Sequence, residues 1–258
     1  MKDGKKRYAI SQKQQGLYAV LLPIPQGTIT PETLRKLAGF VSGFGEDVIR
    51  FTTRQHIQLR NIPGNYLPNV WLLFRELGFE TELPRLCNDI ISCTGADTCR
   101  LGTCSSQGAA KAVRRKLIES GLSLDDIETI RINISGCINS CAQQVWSEIG
   151  FSGRVARGDK AYPAYTVYAK TEGDHQLGKA VGVISAKDLP DLCAGLLEKY
   201  LEKKKDYPSF RTYLGKEGVA DLEELLKAFV PIPTFEEDKN YYFDWGATEI
   251  FGANRKNK

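Results

Sequence analysis

The apolar residues fall into recognisable periods along most of the chain. Leu17 to Ile24 is an apolar run that stops at the turn signal Pro25-Gln26-Gly27, which predicts a strand. Thr30-Pro31 follows as an N-cap with proline at the first helical position. Leu34, Leu37, Ala38 and Val41 supply the helical stripe behind it, and Gly43 and Gly45 close it. Val48 to Phe51 and Ile57 to Ile62 read as extended, with Ile57 and Leu59 alternating against Gln58 and Arg60. Leu67, Val70, Trp71, Phe74 and Leu77 predict a second helix, stopped by Gly78. Strand–helix–strand–helix in about 80 residues predicts a small two-layer α/β unit.

A second region opens at Pro84. Ala109 to Ser120 predicts a basic helix ended by Gly121, and Ile130 to Ile134 a strand running directly into Gly136-Cys137. Val145 to Phe151 and Tyr165 to Ala169 are further predicted strands. Ser185-Ala-Lys-Asp188 caps a helix carrying Leu189, Leu192, Cys193, Leu196, Leu197 and Tyr200, and its charged tail, Glu202 to Asp206, reads as a solvated face. After Phe229 the chain turns irregular. Its aromatic residues Tyr241, Tyr242, Phe243 and Trp245 are expected to pack the tail back on the body, unless it leads into a linker. The organisation expected is residues 1–83, 84–228 and a tail or linker start over 229–258.

Composition narrows the classes. The chain has 258 residues, 42% hydrophobic and 26% charged, which excludes disordered and low-complexity readings. No run approaches the ~18–20 apolar residues of a membrane span, and the start, MKDGKKRYAISQ, lacks the apolar core of a signal peptide. The expectation is a cytoplasmic protein with no membrane partner. The net charge of +4 is spread along the chain, which argues against nucleic acid and suits a small anionic ligand.

The seven cysteines, at 87, 93, 99, 104, 137, 141 and 193, change the picture most. In a chain expected to be intracellular, clustered cysteines read as metal ligands or catalytic groups before disulfides. Cys93 and Cys99 form a C-x5-C pair, and Cys137 and Cys141 a C-x3-C pair. Zinc ribbons and fingers use two to four residues within each pair, so the wide first gap favours an iron–sulfur cluster, which takes one thiolate per iron. Zinc and simple packing stay open on spacing alone. Gly95 and Gly136 are expected where backbone approaches an inorganic core. Cys193, on an apolar stripe, and Cys87 and Cys104, outside the pairs, read as packing residues, and His175 as a surface loop residue.

The two cysteine pairs, with Arg50-Phe-Thr-Thr-Arg-Gln-His-Ile-Gln58 in the α/β unit before them, resemble the siroheme-dependent sulfite and nitrite reductases over about residues 8–228. The resemblance implies an α+β fold: a small ferredoxin-like two-layer α/β domain, then a siroheme/[4Fe–4S] domain with a mixed sheet flanked by helices. It implies that Cys93, Cys99, Cys137 and Cys141 hold the cluster, and that Cys141 also bridges to the siroheme iron as the catalytic thiolate. It further implies that Arg50, Thr52, Arg54, His56 and Gln58 contact the macrocycle or its carboxylates, with Asn139 beside both groups. Period-2 spacing places the first five on one face of an extended segment, and arginine suits a cofactor rich in carboxylates.

The activity so implied is the six-electron reduction of sulfite to sulfide or nitrite to ammonia. The donor would be ferredoxin or a reductase subunit. The family's full-length members contain two fused copies of this module. This chain has one copy, joining a first-half siroheme stretch to second-half cysteines, so a second module or homo-oligomer is expected.

The basic substrate positions of that first half are not matched: Leu21, Leu22, Asn88, Arg131 and Asn133 stand there or nearby. Arg85, Arg100, Arg131 and Lys111 are the candidate substitutes. The alternative is a non-catalytic iron–sulfur electron-transfer subunit without the anion pocket. A zinc or nucleic-acid-binding module is the third reading.

Overall fold

The computed structural model describes residues 8–172 and 177–252; His175 lies outside them. The described chain divides after Asp89 into two compact units.

In the first unit β1 (Ala9–Ser11), β2 (Leu17–Leu22), α1 (Pro31–Val41), β3 (Ile49–Phe51), β4 (Ile57–Pro63), α2 (Leu67–Glu76) and α3 (Arg85–Asn88) follow one another. The four strands form an antiparallel sheet in the order β1-β2-β4-β3. Thr30 starts α1 as its sequence implies, its side chain accepting from Thr33 N, with Pro31 behind it. Val20 and Leu22, Ile57, Leu59 and Ile62, Leu37 and Val41, and Val70 and Phe74 build one core between the sheet and the two helices. Strict alternation would turn Ile62 away from Ile57 and Leu59. Asn61, at φ 59°, reorients the strand and returns Ile62 to the core.

The second unit contains β5 (Ile91–Ser92), α4 (Ser106–Glu119), β6 (Ile132–Ser135), β7 (Ile149–Arg157), β8 (Ala161–Ala169), β9 (Lys179–Ser185), α5 (Leu189–Lys203), α6 (Phe210–Tyr213) and α7 (Val219–Ala228). Its sheet runs β5-β6-β7-β8-β9. β5, β6 and β7 are parallel, and β7, β8 and β9 antiparallel. The fold is therefore α+β with a mixed second sheet, as the sequence implies. All of β6 is buried, as a central parallel strand between covered faces should be. Helices α4 and α5 pack together, and α7 packs on α5 and β9.

The structure changes several local expectations. The stretch expected as a strand from Val145 begins with a 3-10 turn over Gln144–Trp146, because Gln143 takes a left-handed conformation (φ 55°); the strand starts at Ile149. The charged tail of α5 is more than a solvated face. Lys203 Nζ lies 2.9 Å from both Glu217 and Asp221, tying α5 to α7. The described part of the C-terminal segment packs on the second unit: Tyr242 is buried, Trp245 Nε1 donates to Ala186 O at 2.8 Å, and Tyr241 donates to Asp188 at 2.7 Å.

Candidate metal and cofactor sites

Cys93 follows β5 directly, and Gly136-Cys137 follows β6. Because Ser92 pairs with Ile134 in parallel register, both cysteine loops leave the same end of two adjacent strands. That carboxyl end is where open α/β sheets gather ligand-binding loops. Backbone hydrogen bonds then bind one loop to the other. Thr103 N and Cys104 N both donate to Gly136 O, at 2.8 and 2.9 Å, and Cys93 N donates to Ile134 O. The 3-10 turn over Gly95–Asp97 carries the chain round to Cys99, whose N–H donates to Gly95 O at 3.0 Å.

Exposure separates the seven cysteines. Cys87, Cys104 and Cys193 are buried, whereas Cys93, Cys99 and Cys137 are half-buried and Cys141 is exposed. Burial pushes the Cys193 thiol far above its ordinary range, with the Asp191 charge adding to the shift, as suits an inert core thiol. Gly136 N donates to Cys93 Sγ at 3.1 Å, and Ser106 Oγ lies 3.2 Å from the same sulfur. The Ser106 hydroxyl gives its proton to Cys93 O at 2.8 Å, so the Gly136 N–H is the donor on this sulfur, a contact of the kind that tunes iron–sulfur centres. Among the described residues no three His, Cys, Asp or Glu side chains are gathered as round a single metal ion. Four half-buried or exposed thiols on two tethered loops are a donor set that fits a thiolate-held iron–sulfur cluster.

The two glycines are required by the cysteine loops themselves. A Cβ at Gly136 would lie 2.6 Å from Cys104 O and 2.8 Å from the Gly95 Cα. One at Gly95, where φ is +64°, would lie 2.6 Å from Ser106 N. The close approach is of one cysteine loop to the other.

The Arg50–Gln58 segment is a hairpin, not one extended strand. β3 ends at Phe51 and β4 begins at Ile57, with Gln55 at φ 62° in the turn. Period-2 spacing therefore does not put all five residues on one face. Arg50 and Gln58 are direct cross-strand partners and share a face. Thr52 braces the turn, its Oγ accepting from His56 N at 3.1 Å and Arg54 N at 3.3 Å. His56 is only 3% exposed. Its Nδ1 accepts from Ile24 N at 3.1 Å, which places the ring proton on Nε2, 3.0 Å from Asp89 Oδ1. His56 is thus an internal strut. Arg54, at the tip, donates to Asp89 O, and Arg50 pairs with Asp47.

Asp89, which the sequence reading passed over, is the hub of this hairpin. Burial would raise its carboxyl pKa. The His56 hydrogen bond and the charges of Arg85 and Arg54 outweigh burial and hold it below the ordinary carboxylate range. Asp244 is the other omission. Its Oδ2 accepts from Ser105 N at 2.7 Å, at the start of α4 and next to the cysteine loop. Neither contact lies within a local motif, since the partners are 33 and 139 positions apart.

The candidate substrate cations divide as well. Arg85 pairs with Asp89 at 3.0 Å. Arg131 meets Glu148 through Nε, NH2 and its backbone N–H, and Arg211 pairs with the same carboxylate. Arg100 and Lys111 line two clefts of about 530 and 410 Å3 that the C-terminal segment helps to wall. Asn88 is buried, donating to Tyr8 OH and Glu80 O at 2.8 Å. Asn139 is exposed on the loop between Cys137 and Cys141.

Residues 10–77 match the nitrite/sulfite reductase ferredoxin-like half domain. The ferredoxin–nitrite reductase of Synechococcus elongatus is 32% identical over 190 residues, 72% of this chain and 36% of that one. The chain is a relative of the nitrite and sulfite reductases. Sulfite reductase [ferredoxin] 2 of Mycolicibacterium paratuberculosis is 29% identical over 150 residues, 57% of this chain and 27% of that protein. The chain thus spans about a third of the length of the curated relatives it matches. Two solved structures share the fold. The NirA protein of Mycobacterium tuberculosis has a TM-score of 0.73 at 21% identity, over 83% of this chain and 41% of that one. Dissimilatory sulfite reductase I has a TM-score of 0.62 at 13% identity, over 84% and 72%. No helix among the described residues is long and apolar enough to cross a membrane.

Proposed function

We propose that this chain is a siroheme/[4Fe–4S] sulfite or nitrite reductase, or one module of such an enzyme, working in the cytoplasm with ferredoxin or a reductase subunit as donor. The observation that carries the reading is the pair of cysteine loops leaving the same end of adjacent parallel strands and tethered to each other. Cys93, Cys99, Cys137 and Cys141 hold the cluster, and Cys141 supplies the shared thiolate. Arg50 and Gln58, on one face of the hairpin, and Arg54 at its tip bind the carboxylates of the macrocycle. Thr52 and His56 keep that tip in shape, and Asn139 stands on the cysteine loop beside the two groups. When bound, the two cofactors supply the one-electron transfers and the open iron at which the oxyanion is reduced.

The expected domain organisation (1–83, 84–228 and 229–258), and a second module or second copy of the chain, belong to the same proposal. One observation favours a second reading, a non-catalytic iron–sulfur electron-transfer subunit. Arg85 and Arg131 pair with the buried carboxylates of Asp89 and Glu148 and so are poorly placed to hold an anion, whereas the Asp47 partner of Arg50 is exposed. Turnover of sulfite and nitrite by the anaerobically reconstituted chain, driven by reduced viologen, decides between them. Turnover of either supports the reductase. Full cofactor loading with no turnover of either supports the carrier.

A further inference from the structure

The backbone that carries Cys141 is bent on both sides. Ser140 sits at φ 60° and Gln143 at φ 55°, left-handed conformations that cost non-glycine residues free energy and persist only where neighbours enforce them. The hydrogen bond from Gln143 N to Ser140 O, at 2.7 Å, closes the turn between them. What enforces the rest comes from strand β6. Asn133 and Ser135, two residues apart, share one face of it. Ala142 N, in the residue after Cys141, donates to Ser135 Oγ at 3.1 Å. Ala142 O accepts from Asn133 Nδ2 at 2.8 Å. Ser135 Oγ donates onward to Gln144 Oε1 at 2.6 Å.

Asn133, Ser135, Ala142 and Gln144 are all buried, while Cys141 is exposed. The acceptor side of Asn133 also speaks for this purpose. Its Oδ1 is buried with no hydrogen-bond partner among the described residues, an arrangement that costs stability unless the amide is kept for what it donates.

We infer that Ser135, Asn133 and Gln144 are positioning residues for the Cys141 thiolate, gripping both polar groups of the following residue so that an exposed sulfur is held at a fixed place. The inference rests on the reading of Cys141 as a cluster ligand. Losing a group that orients a metal ligand typically lowers metal retention about 10- to 100-fold.

The test is the rate at which anaerobically reconstituted protein loses iron to a chelator, read beside the EPR spectrum of the reduced cluster. Ser135→Ala should lose iron about 10- to 100-fold faster than wild type and shift the EPR signal. Ser135→Thr, which keeps the hydroxyl, should restore both. Ser152→Ala is the control: Ser152 is equally buried in the same sheet but bonds to Tyr168, so it should leave both readings unchanged. Gln144→Leu leaves Ser135 in place and removes only its acceptor. It should show a smaller change of the same sign, and it carries the test if Ser135→Ala does not fold. Iron loss at the wild-type rate from Ser135→Ala, or from Gln144→Leu if that variant stands in, overturns the inference. So does equal loss from Ser152→Ala, which would reduce the effect to general destabilisation. Wild-type protein that takes up no iron and sulfide overturns the ligand reading itself, a result distinct from either.

Discussion

The hairpin of the first unit and the cysteine loops of the second are held by different means. Side chains fix the hairpin: the buried His56–Asp89 pair, Arg85 on the same carboxylate and Thr52 under the turn. Backbone ties the two cysteine loops to each other: Gly136 O takes two N–H groups from the other loop, and Gly95 and Gly136 allow the close approach, while Asn133, Ser135 and Gln144 hold the turn after Cys141. The difference suits what each is proposed to hold. Thiolate ligands on two loops need those loops at a fixed spacing, which main-chain tethers between them supply. A carboxylate-rich ligand needs charged side chains aimed and spaced, which only other side chains can do.

The first way to break this contrast is Asp89→Ala. It strands the His56 Nε2–H and the Arg85 charge, and it should cost about 3–5 kcal/mol by urea unfolding. In protein that still folds it should lower siroheme content while leaving acid-labile sulfide unchanged; equal loss of both would erase the contrast. The pH dependence has a definite sign. Because the folded Asp89 carboxyl lies below its ordinary value, its contribution is complete above about pH 4 and fades as acid approaches the lowered value. The gap between wild type and Asp89→Asn should therefore close below pH 4. A gap that widens there would show that the carboxylate is not stabilised by folding.

Gly136→Ala is the converse. Its Cβ meets backbone at 2.6 Å, so one loop must move, at a cost of about 1–3 kcal/mol. Iron and sulfide should fall while siroheme affinity is kept. Asp244→Ala should have the smallest effect. It removes one acceptor at the start of α4, and about 0.5–2 kcal/mol of thermal stability should go with it. Iron should be retained; a loss as large as that of Gly136→Ala would mean that the tie between the cysteine loops depends on this side chain after all.

The same contrast explains what could be read from the residues alone. β5, two residues long, was not legible; the second cysteine loop was, because strand, glycine and cysteine lie next to one another in the chain. The helix start at Thr30-Pro31 was legible for the same reason. The two strands of the hairpin were legible as the separate runs Val48–Phe51 and Ile57–Ile62, but the turn between them was not. Thr52-Thr53-Arg54-Gln55 contains no glycine, proline or asparagine to mark a turn, so period-2 spacing put Arg50 to Gln58 on one face across it. Asp89 and Asp244 act across the fold, where no local period points to them. The edge strand β9 was missed because its pattern is weak: Lys179 to Val183 is exposed or half-buried, and Gly182 interrupts the run to let Leu226 approach. The commitment of Arg131 to Glu148 is likewise a tertiary fact, whereas Arg85 and Asp89 are a local i,i+4 pair.

The most direct measurement is an iron and acid-labile sulfide count on anaerobically purified or reconstituted protein, with acid–acetone extraction of its pigment. The account predicts iron and sulfide in the proportions of a [4Fe–4S] cluster, with further iron in an extractable isobacteriochlorin. Protein that after reconstitution binds zinc, and neither sulfide nor pigment, would contradict it.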